Sequence, residues 1–278
     1  MSKLSYDLVV AYRIYPAVSK TPLVFQDNKY KLAELCVKSF KKSLGDLKVK
    51  LIVLLDNCPG EYKVLFETHF DTKDLLFKEY QGIGNQATFA QQIDLLLEQN
   101  DSEYIYFAED DYFYLENRFS DMIRFLKNNK DADFVSPYDH PDNYSRFFHA
   151  HPHKIRVKDS VYWRTCQSTC LTFLTTKKVL KKTAKIFRTY VKGNHDFAVW
   201  AALTKFAGLN AFSIIRSFVK EIYFLKLYAL TWLHGWWQVL FGRKYTLWAP
   251  VPSIATHMQN DGIAPVVDWE NEINRLIN

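Results

Sequence analysis

Glycine, proline and cysteine are all scarce in this chain of 278 residues. It contains 9 glycines and 9 prolines, which excludes collagen-like and low-complexity proteins. The four cysteines are too few for a disulfide scaffold in a chain of this length. The longest uncharged apolar run, residues 227–242, includes a histidine and a glutamine. It is shorter than the roughly 20 residues that a membrane-spanning helix needs, so we expect no transmembrane segment.

We expect no secretory leader, because the apolar run near Met1 is short and resembles a strand. Together with four free cysteines, this predicts a cytoplasmic protein, located at the inner face of a membrane if it contacts one. Lysine and arginine exceed aspartate and glutamate by 36 − 30 = +6, which fits an anionic partner. The charge is diffuse and no recognition motif is present, so we predict no nucleic-acid binding. The sequence leaves the oligomeric state open.

Strand and helix patterns alternate through the first half of the chain. Apolar strand patterns lie at residues 8–12, 50–55, 75–80, 104–108 and 132–136, and helical patterns at 28–43, 61–69, 86–99 and 115–129. This alternation predicts an α/β fold with a mostly parallel sheet flanked by helices. Later segments predict a strand or hairpin at 161–174 and helices at 177–190, 194–206 and 269–277, with an aromatic, basic and helical stretch at 212–248.

No repeat or flexible linker divides the chain. We therefore expect one continuous unit, in which residues 1–210 form the main domain. Residues 211–278 would form a C-terminal, aromatic-rich helical extension and tail packed on that domain.

Three consecutive acidic residues, Glu109, Asp110 and Asp111, follow directly after the strand pattern at 104–108. Crowded carboxylates repel one another unless a cation lies among them. In open α/β sheets, ligands bind beyond the carboxyl ends of the strands. The position therefore favours a divalent cation held by carboxylates and substrate phosphates, and a solvated acidic turn is the alternative.

With this motif in place, the chain resembles the GT-A-fold glycosyltransferases, in the style of the bacterial family 2 enzymes. The resemblance covers residues 6–206, and the C-terminal tail shows a weaker similarity. It implies a GT-A-like, Rossmann-like fold. It also implies transfer of a sugar from a nucleoside diphosphate sugar to a hydroxyl of a glycan or lipid-linked acceptor, in surface polysaccharide or glycoconjugate synthesis.

The resemblance also implies a set of donor and metal ligands. Members of the family bind Mn²⁺ or Mg²⁺ through an Asp-x-Asp type motif, which implies Glu109 and Asp111 as metal ligands and Asp110 as a donor contact. The first position departs from the family pattern, because it is Glu rather than Asp. A C-terminal histidine contacts the metal or diphosphate in some members, which makes His257 a candidate. The resemblance implies that the nucleotide-sugar donor also contacts Ala11, Tyr12, Arg13, Asp56, Asn57, Gly82, Gly84 and Asn85.

A helix start at residues 194–196 supplies the candidate base. In inverting members of the family, an acid at this distance past the metal motif takes the proton of the acceptor hydroxyl, which implies Asp196 as the base and predicts inversion. His195 stands where the family usually has another acid, and it is an alternative base or an acceptor contact. An acid in the first turn also stabilises a helix, with Asn194 as the N-cap, so a purely structural role is the alternative.

Several other patterns carry weaker hypotheses. The alternating histidines His149, His151 and His153, with Cys166 and Cys170, suggest zinc, but they lack a paired-cysteine framework, and a loop is the favoured interpretation. The aromatic and basic stretch at 212–248 predicts peripheral membrane contact, with a packed helix pair or a dimer interface as alternatives.

Two other classes of function compete with sugar transfer. Residues 82–87 fit the G-x-G-x-x-A dinucleotide fingerprint of an oxidoreductase, but the motif follows the third strand rather than the first. A non-catalytic carbohydrate- or lipid-binding module on a degenerate transferase fold is the second alternative.

Overall fold

The computed structural model describes residues 4–18, 21–146, 149, 152–205 and 222–277. The strands, in chain order, are β1 Leu8–Ile14, β2 Val49–Asp56, β3 Leu75–Tyr80, β4 Tyr104–Glu109, β5 Tyr112–Tyr114, β6 Phe134–Val135, β7 Ile155–Lys158, β8 Val161–Cys166, β9 Phe173–Thr176, β10 Leu247–Val251 and β11 Ala255–His257. The helices are α1 Lys29–Leu44, α2 Glu61–His69, α3 Gly84–Glu98, α4 Phe119–Asn128, α5 Asp142–Ser145, α6 Lys177–Phe187, α7 Asp196–Thr204, α8 Ile222–Leu240 and α9 Trp269–Ile277.

Among the described residues, nine strands form one sheet in the order β3-β2-β1-β4-β9-β6-β10-β8-β7. Seven of the nine run in the same direction, and β9 and β8 run against them. Strands β5 and β11 form a separate antiparallel pair. The predicted α/β fold, with a mostly parallel sheet flanked by helices, is confirmed.

Side chains alternate between two cores along the central strands. Leu8, Val10 and Tyr12 of β1 join the apolar cluster on one face, which also contains residues of α1, α4 and α9. Val9 and Ala11 join the cluster on the other face, with residues of α3, α6 and α7. This period of two buries both faces of the sheet, which is why the strands read as continuous apolar runs in the sequence.

Most predicted elements are confirmed, with shifts at their ends. Helix α1 begins where the sequence indicated, because the Asn28 side chain accepts a hydrogen bond from the Lys31 amide at 3.0 Å and caps the first turn. The predicted strand at 104–108 is β4, and the predicted terminal helix is α9. Residues 206–221, which include part of the predicted helix at 194–206 and part of the aromatic stretch, lie outside the described residues.

The hairpin alternative for residues 161–174 is wrong. Strands β8 and β9 lie in the same sheet, but β10 and β6 separate them. The hairpin is formed by β7 and β8 instead. Its turn residues, Asp159 and Ser160, have positive φ values of 52° and 62°, which match the right-handed twist of a tight hairpin.

The C-terminal part of the chain is built into the sheet. Trp248 was expected in a helical stretch, but it lies in β10, which pairs with β6 on one side and β8 on the other. Helix α8 packs on α7 at Gly235, where an added Cβ would lie 2.9 Å from the Ala202 Cβ. Glycine is needed there because the two helices approach so closely. Among the described helices, none combines the length and the apolar character required to cross a membrane.

Candidate functional site

A cavity of about 430 Å³ opens at the carboxyl ends of β1, β2 and β4. Parallel strands bring their carboxyl ends to one edge of a sheet, so residues far apart in sequence meet here. The lining residues are Arg13, Ile14, Tyr15, Ala17, Lys29, Asp56, Asn57, Gly82, Gly84, Asn85, Thr88, Glu109, Asp110 and Asp111. The whole acidic triplet therefore faces one cavity.

Glu109 forms a salt bridge with Arg13 in the wall of the cavity. The two residues face each other because β1 and β4 pair in parallel with Arg13 opposite Glu109. The other oxygen of Glu109, Oε2, accepts a hydrogen bond from the Thr172 hydroxyl at 2.7 Å. Arg13 also donates to the side chain and to the backbone carbonyl of Asn85. Both oxygens of Glu109 are therefore engaged in holding the wall together.

Asp110 is paired with Lys29, a residue that the sequence analysis missed. The Lys29 ammonium lies 2.8 Å from Asp110 Oδ2, and the Tyr15 amide donates to the same oxygen at 3.1 Å. Burial opposes the charge of Lys29, but the charges of Asp110 and Asp111 outweigh it and raise the Lys29 pKa. The ammonium therefore stays charged at the edge of the cavity. Lys29 could have been predicted at this site from the sequence, because it directly follows the Asn28 N-cap and the start of α1 faces the carboxyl ends of the strands.

Asp111 contacts His257, which lies 146 residues further along the chain. The antiparallel pair β5–β11 places Tyr112 opposite His257, and His257 Nε2 lies 3.0 Å from Asp111 Oδ2. Burial raises the Asp111 pKa, but the interaction with His257 outweighs this and lowers it. The second oxygen, Asp111 Oδ1, is buried and has no hydrogen-bond partner among the described residues. An ionised oxygen in this state is a candidate ligand for a cation.

Close backbone approach allows His257 to occupy this position. A Cβ added at Gly262 would lie 3.1 Å from His257 Nδ1, which is tighter than an ordinary contact. The His257 ring also packs against Tyr112, with 5.0 Å between the ring centroids. The structure therefore brings together Asp111 and His257, two of the predicted metal ligands.

Asp56 braces the turn that leads into α3. It is buried, and its two oxygens accept hydrogen bonds from the Ile83 and Gly84 amides, each at 2.8 Å. Gly82 and Gly84 have φ values of 71° and 84°, a region that favours glycine. Asp56, Gly82 and Gly84, which were predicted to contact the nucleotide sugar, all line the cavity, and Asp56 also fixes the shape of the loop.

Two residues that were predicted to contact the nucleotide sugar lie outside the cavity. Ala11 and Tyr12 are fully buried in the two cores and do not line the cavity. The Tyr12 ring packs edge-on against Phe66, with 5.2 Å between centroids. Of the three residues that the resemblance implied at the end of the first strand, only Arg13 lines the cavity.

A second cavity, of about 260 Å³, contains the candidate base Asp196 together with His195. His195 Nδ1 lies 2.6 Å from Asp196 Oδ1, and this hydrogen bond raises the His195 pKa. The Phe197 amide also donates to Asp196 Oδ1 at 2.6 Å. Asp196 Oδ2 has no hydrogen-bond partner among the described residues. The N-cap is His195 rather than the expected Asn194, whose side chain instead donates to the Thr189 hydroxyl at 2.9 Å.

The segment between β8 and β9 lies between the two cavities. Thr169 and Cys170 line the second cavity, while Thr172 donates to Glu109 in the wall of the first. Burial raises the pKa of the Cys170 thiol, and the negative charges of Asp196 and Glu109 raise it further. Cys170 of the second cavity and Thr172 at the wall of the first are two positions apart in the chain, so the cavities are neighbours.

The zinc hypothesis gains no support from the histidine segment. His149 is buried and its ring lies edge-on to Phe197, with 6.2 Å between centroids. His153 Nδ1 lies 2.6 Å from the Thr165 carbonyl oxygen. His151 is outside the described residues. Within the described ranges, no group of three or more histidine, cysteine, aspartate or glutamate side chains is placed to hold a metal ion.

We expect Arg13→Met to lower the free energy of unfolding by about 3–5 kcal/mol, because it leaves Glu109 without its charge partner in a largely buried site. The side chains of Arg13 and Glu109 are only 8% and 20% exposed. Adding Glu109→Gln should restore most of the loss, and urea denaturation measures both variants. Arg275→Met is the control and should cost at most about 1 kcal/mol, because the Arg275–Glu272 pair is on the surface. A cost for Arg13→Met no larger than this control would contradict the prediction.

Comparison with known proteins gives no family assignment. No family model matches the chain, and no curated protein matches it. Solved structures that resemble it include the galactosyltransferase LgtC in complex with donor and acceptor sugar analogs, with a TM-score of 0.41 and 10% identity over 70% of this chain and 69% of that one.

Two further solved structures show a similar degree of likeness. A cytidylyltransferase from Leptospira borgpetersenii has a TM-score of 0.36 and 11% identity, and the match covers 66% of this chain and 64% of that protein. A 4-diphosphocytidyl-2C-methyl-D-erythritol synthase from Anaerococcus prevotii has a TM-score of 0.42 and 12% identity, over 71% of this chain and 82% of that one. Likeness at this level does not define substrate or reaction, which have to be argued from the cavities.

Proposed function

We propose that this protein is a metal-dependent glycosyltransferase that uses a nucleoside diphosphate sugar. The sugar would pass, with inversion, to a hydroxyl of a glycan or lipid-linked acceptor. The observation that carries the proposal is the acidic triplet at the end of β4. There the buried Asp111 Oδ1 has no hydrogen-bond partner among the described residues, and His257 contacts the other oxygen of Asp111.

The charge of the cavity supports a role for a divalent cation. Its lining residues include four carboxylates (Asp56, Glu109, Asp110 and Asp111) and two cations (Arg13 and Lys29), a formal charge of 2 − 4 = −2. A diphosphate carries negative charge and would be repelled by this lining. A divalent cation would remove that repulsion, so nucleotide binding and metal binding should depend on each other.

The residues present fit Mn²⁺ or Mg²⁺ at this place. Asp111 and His257 would supply the protein ligands, and oxygens of the diphosphate and water would complete the coordination, since Mg²⁺ usually binds through one or two carboxylates and substrate phosphates. Glu109 was also predicted as a ligand, but both of its oxygens hold Arg13 and Thr172. We therefore assign Glu109 to positioning Arg13. When bound, the metal neutralises charge on the leaving diphosphate.

The rest of the donor would lie against the α3 turn. Asp56 holds Gly82 and Gly84 in place, and Asn57 and Asn85 add polar groups to the same wall. A Cβ added at Gly84 would meet nothing within 4 Å, so the cavity has open space beside the turn. This wall is the proposed contact surface for the nucleoside.

Asp196 is proposed as the base. Its Oδ1 is held by the Phe197 amide and His195, which fixes the carboxylate and leaves Oδ2 to accept a proton. The acceptor would bind in the second cavity, so that its hydroxyl lies between Asp196 and the donor. An attack from the side opposite the diphosphate gives inversion. Action in the cytoplasm, at the inner face of a membrane, stays a prediction.

The dinucleotide alternative is weakened by Asp56. A fingerprint loop binds pyrophosphate through backbone amides at the start of its helix. Here the Ile83 and Gly84 amides already donate to the Asp56 carboxylate, which also adds negative charge where pyrophosphate would bind.

The proposal is tested by calorimetric titration with UDP, GDP, CDP and NADH, each with and without Mn²⁺. We expect at least one nucleoside diphosphate to bind in the presence of Mn²⁺ and to be released by EDTA, and we expect no NADH binding. The corresponding nucleotide sugar, with a panel of glycan and lipid-linked acceptors, should then give sugar transfer. Nucleotide binding that is no tighter with Mn²⁺ than without it, or NADH binding, would contradict the proposal, and sugar or lipid binding without nucleotide binding would favour the non-catalytic module.

A further inference from the structure

One face of helix α8 is apolar and exposed to solvent. Leu233, Trp236 and Leu240 recur at helical spacing and are 71%, 49% and 50% exposed, and Phe241, directly after the helix, is 80% exposed. Residues three and four apart lie on the same side of a helix, so these side chains form a continuous stripe. An exposed apolar stripe of this kind marks an interaction surface.

The opposite face of α8 is already used for packing. Gly235 approaches Ala202 of α7, and Val239 belongs to the apolar core. The helix is therefore apolar on both sides, and packing on the domain accounts for only one of them. The exposed stripe needs a separate explanation.

Basic residues predominate in the two segments that contain α6 and α8, where Arg188 pairs with Asp94 and Arg243 pairs with Asp133. Residues 177–193 contain seven lysines and arginines, and residues 222–246 contain three, with no aspartate or glutamate in either segment. These segments contribute 7 + 3 = +10, while the rest of the chain sums to 26 − 30 = −4. The exposed basic side chains of these segments are Lys178, Lys181, Lys182, Lys185, Lys192, Lys226, Arg243 and Lys244.

Contacts between α6 and α8 join the charge to the stripe. The Lys185 ammonium lies 4.7 Å from the centre of the Trp237 ring, and a Cβ added at Gly235 would lie 3.9 Å from Ile186 Cδ1. The exposed lysines of α6, which are Lys178, Lys181, Lys182 and Lys185, therefore end beside the C-terminal half of α8. Apolar and cationic side chains form one composite surface.

We propose that this composite surface of α6 and α8 docks on an anionic lipid membrane. Aromatic and aliphatic side chains enter the boundary between headgroups and acyl chains, while lysine and arginine side chains contact anionic headgroups. The helix lies in the plane of the interface and does not cross it.

A second copy of this chain is the less favoured occupant. In a symmetric dimer, the same patch faces itself, so the stripe of α8 would pack on its own copy. The lysines of α6 would then approach basic residues of the other subunit, and like charges across an interface oppose association. Anionic lipid satisfies the apolar and the basic parts at the same time.

Docking on this surface would bring the second cavity close to the membrane. Tyr223, Phe224 and Leu227, from the first turns of α8, line the cavity that contains Asp196. If the proposed function is correct, an acceptor held in the lipid surface would reach that cavity directly. The docking surface itself does not depend on the proposed function.

Vesicle flotation of the full-length protein tests the docking surface. We expect binding to vesicles of phosphatidylcholine with phosphatidylglycerol, loss of binding at high salt, and little binding to phosphatidylcholine alone. Leu233→Ser/Phe241→Ser should weaken partition at least about tenfold. Lys181→Gln/Lys182→Gln should weaken it about 25-fold, since each charge contributes about a factor of five.

The matched control is Val64→Ser/Ile155→Ser, which removes two exposed apolar side chains away from the composite surface and should leave partition unchanged. Equal binding by wild type and both test variants would overturn the proposal, as would binding to neither kind of vesicle. A dimer in solution that dissociates in Leu233→Ser/Phe241→Ser, without vesicle binding by the wild type, would assign the stripe to a second copy instead. No nucleotide is used, so failure here leaves the glycosyltransferase proposal intact.

Discussion

Asp111→Asn is expected to abolish the metal-dependent part of nucleotide binding. The change keeps the size of the side chain and a group that can hydrogen-bond to His257, but it removes the negative charge that would hold the metal. Loss of a residue beside a metal ligand already costs about 10–100-fold in affinity, so loss of the ligand itself should cost at least about a hundredfold. Calorimetric titration with Mn²⁺ and the preferred nucleoside diphosphate measures the effect.

Without metal, Asp111→Asn is expected to affect nucleotide binding differently. Asp111→Asn changes the formal charge of the cavity lining from −2 to −1, since one of its four carboxylates is lost. Repulsion of a diphosphate falls accordingly, so metal-free nucleotide binding should not weaken. A protein that is merely misfolded would lose both kinds of binding, which separates the metal role from a structural defect.

Asp101→Asn provides the matched control for Asp111→Asn. Asp101 also pairs with a basic side chain, with 2.6 Å between its carboxylate and Lys50 Nζ, but it precedes β4 at the opposite edge of the sheet. We expect its nucleotide binding to equal that of the wild type. If Asp111→Asn retained full Mn²⁺-dependent binding, the metal would have to be held elsewhere and the assignment of the acidic triplet would fail.

Asp196→Asn is expected to lower the rate of sugar transfer by about 10²–10⁴-fold while leaving nucleotide binding unchanged. The amide can still accept a hydrogen bond from the Phe197 amide, so the start of α7 is preserved. It cannot take a proton from the acceptor hydroxyl at neutral pH. Turnover of the nucleotide sugar with a saturating acceptor, compared with the Kd of the nucleoside diphosphate, separates the two effects.

Loss of a helix-capping charge has to be distinguished from loss of a base. Asp121 also lies in the first turn of a helix, α4, and is remote from both cavities. Asp121→Asn removes a comparable interaction with the helix dipole and should leave turnover unchanged. Near-normal turnover in Asp196→Asn would move the base to His195 or indicate a retaining reaction.

The local part of the fold could be predicted from the sequence because its signals lie within a few residues. Apolar runs identified β1–β4, the Asn28 cap located the start of α1, and a short amphipathic pattern located α9. The same kind of reasoning failed at Trp248. Aromatic and basic residues near a helix suggested more helix, whereas pairing with β6 and β8 placed residues 247–251 in the sheet. Strand pairing between distant segments has no short-range signal.

The candidate site shows the same division. Acids at the end of a buried strand pointed to a site at the edge of the sheet, and Glu109, Asp110 and Asp111 do line one cavity there. Their different roles could not be predicted, because each depends on its partner. Arg13 and Thr172 occupy Glu109, while Lys29 occupies Asp110.

The α/β class, the order of the first elements and the place where acidic residues collect could be predicted from hydrophobic periodicity and from the position of charges after a strand. The three-dimensional arrangement was needed to establish which acid has an oxygen without a described partner, that His257 lies beside Asp111, and that the stripe of α8 is exposed next to the lysines of α6. Burial, charge pairing and exposure depend on which residues are neighbours in space, and short-range patterns do not specify those neighbours. Asp111 and His257, for example, are 146 residues apart in the sequence.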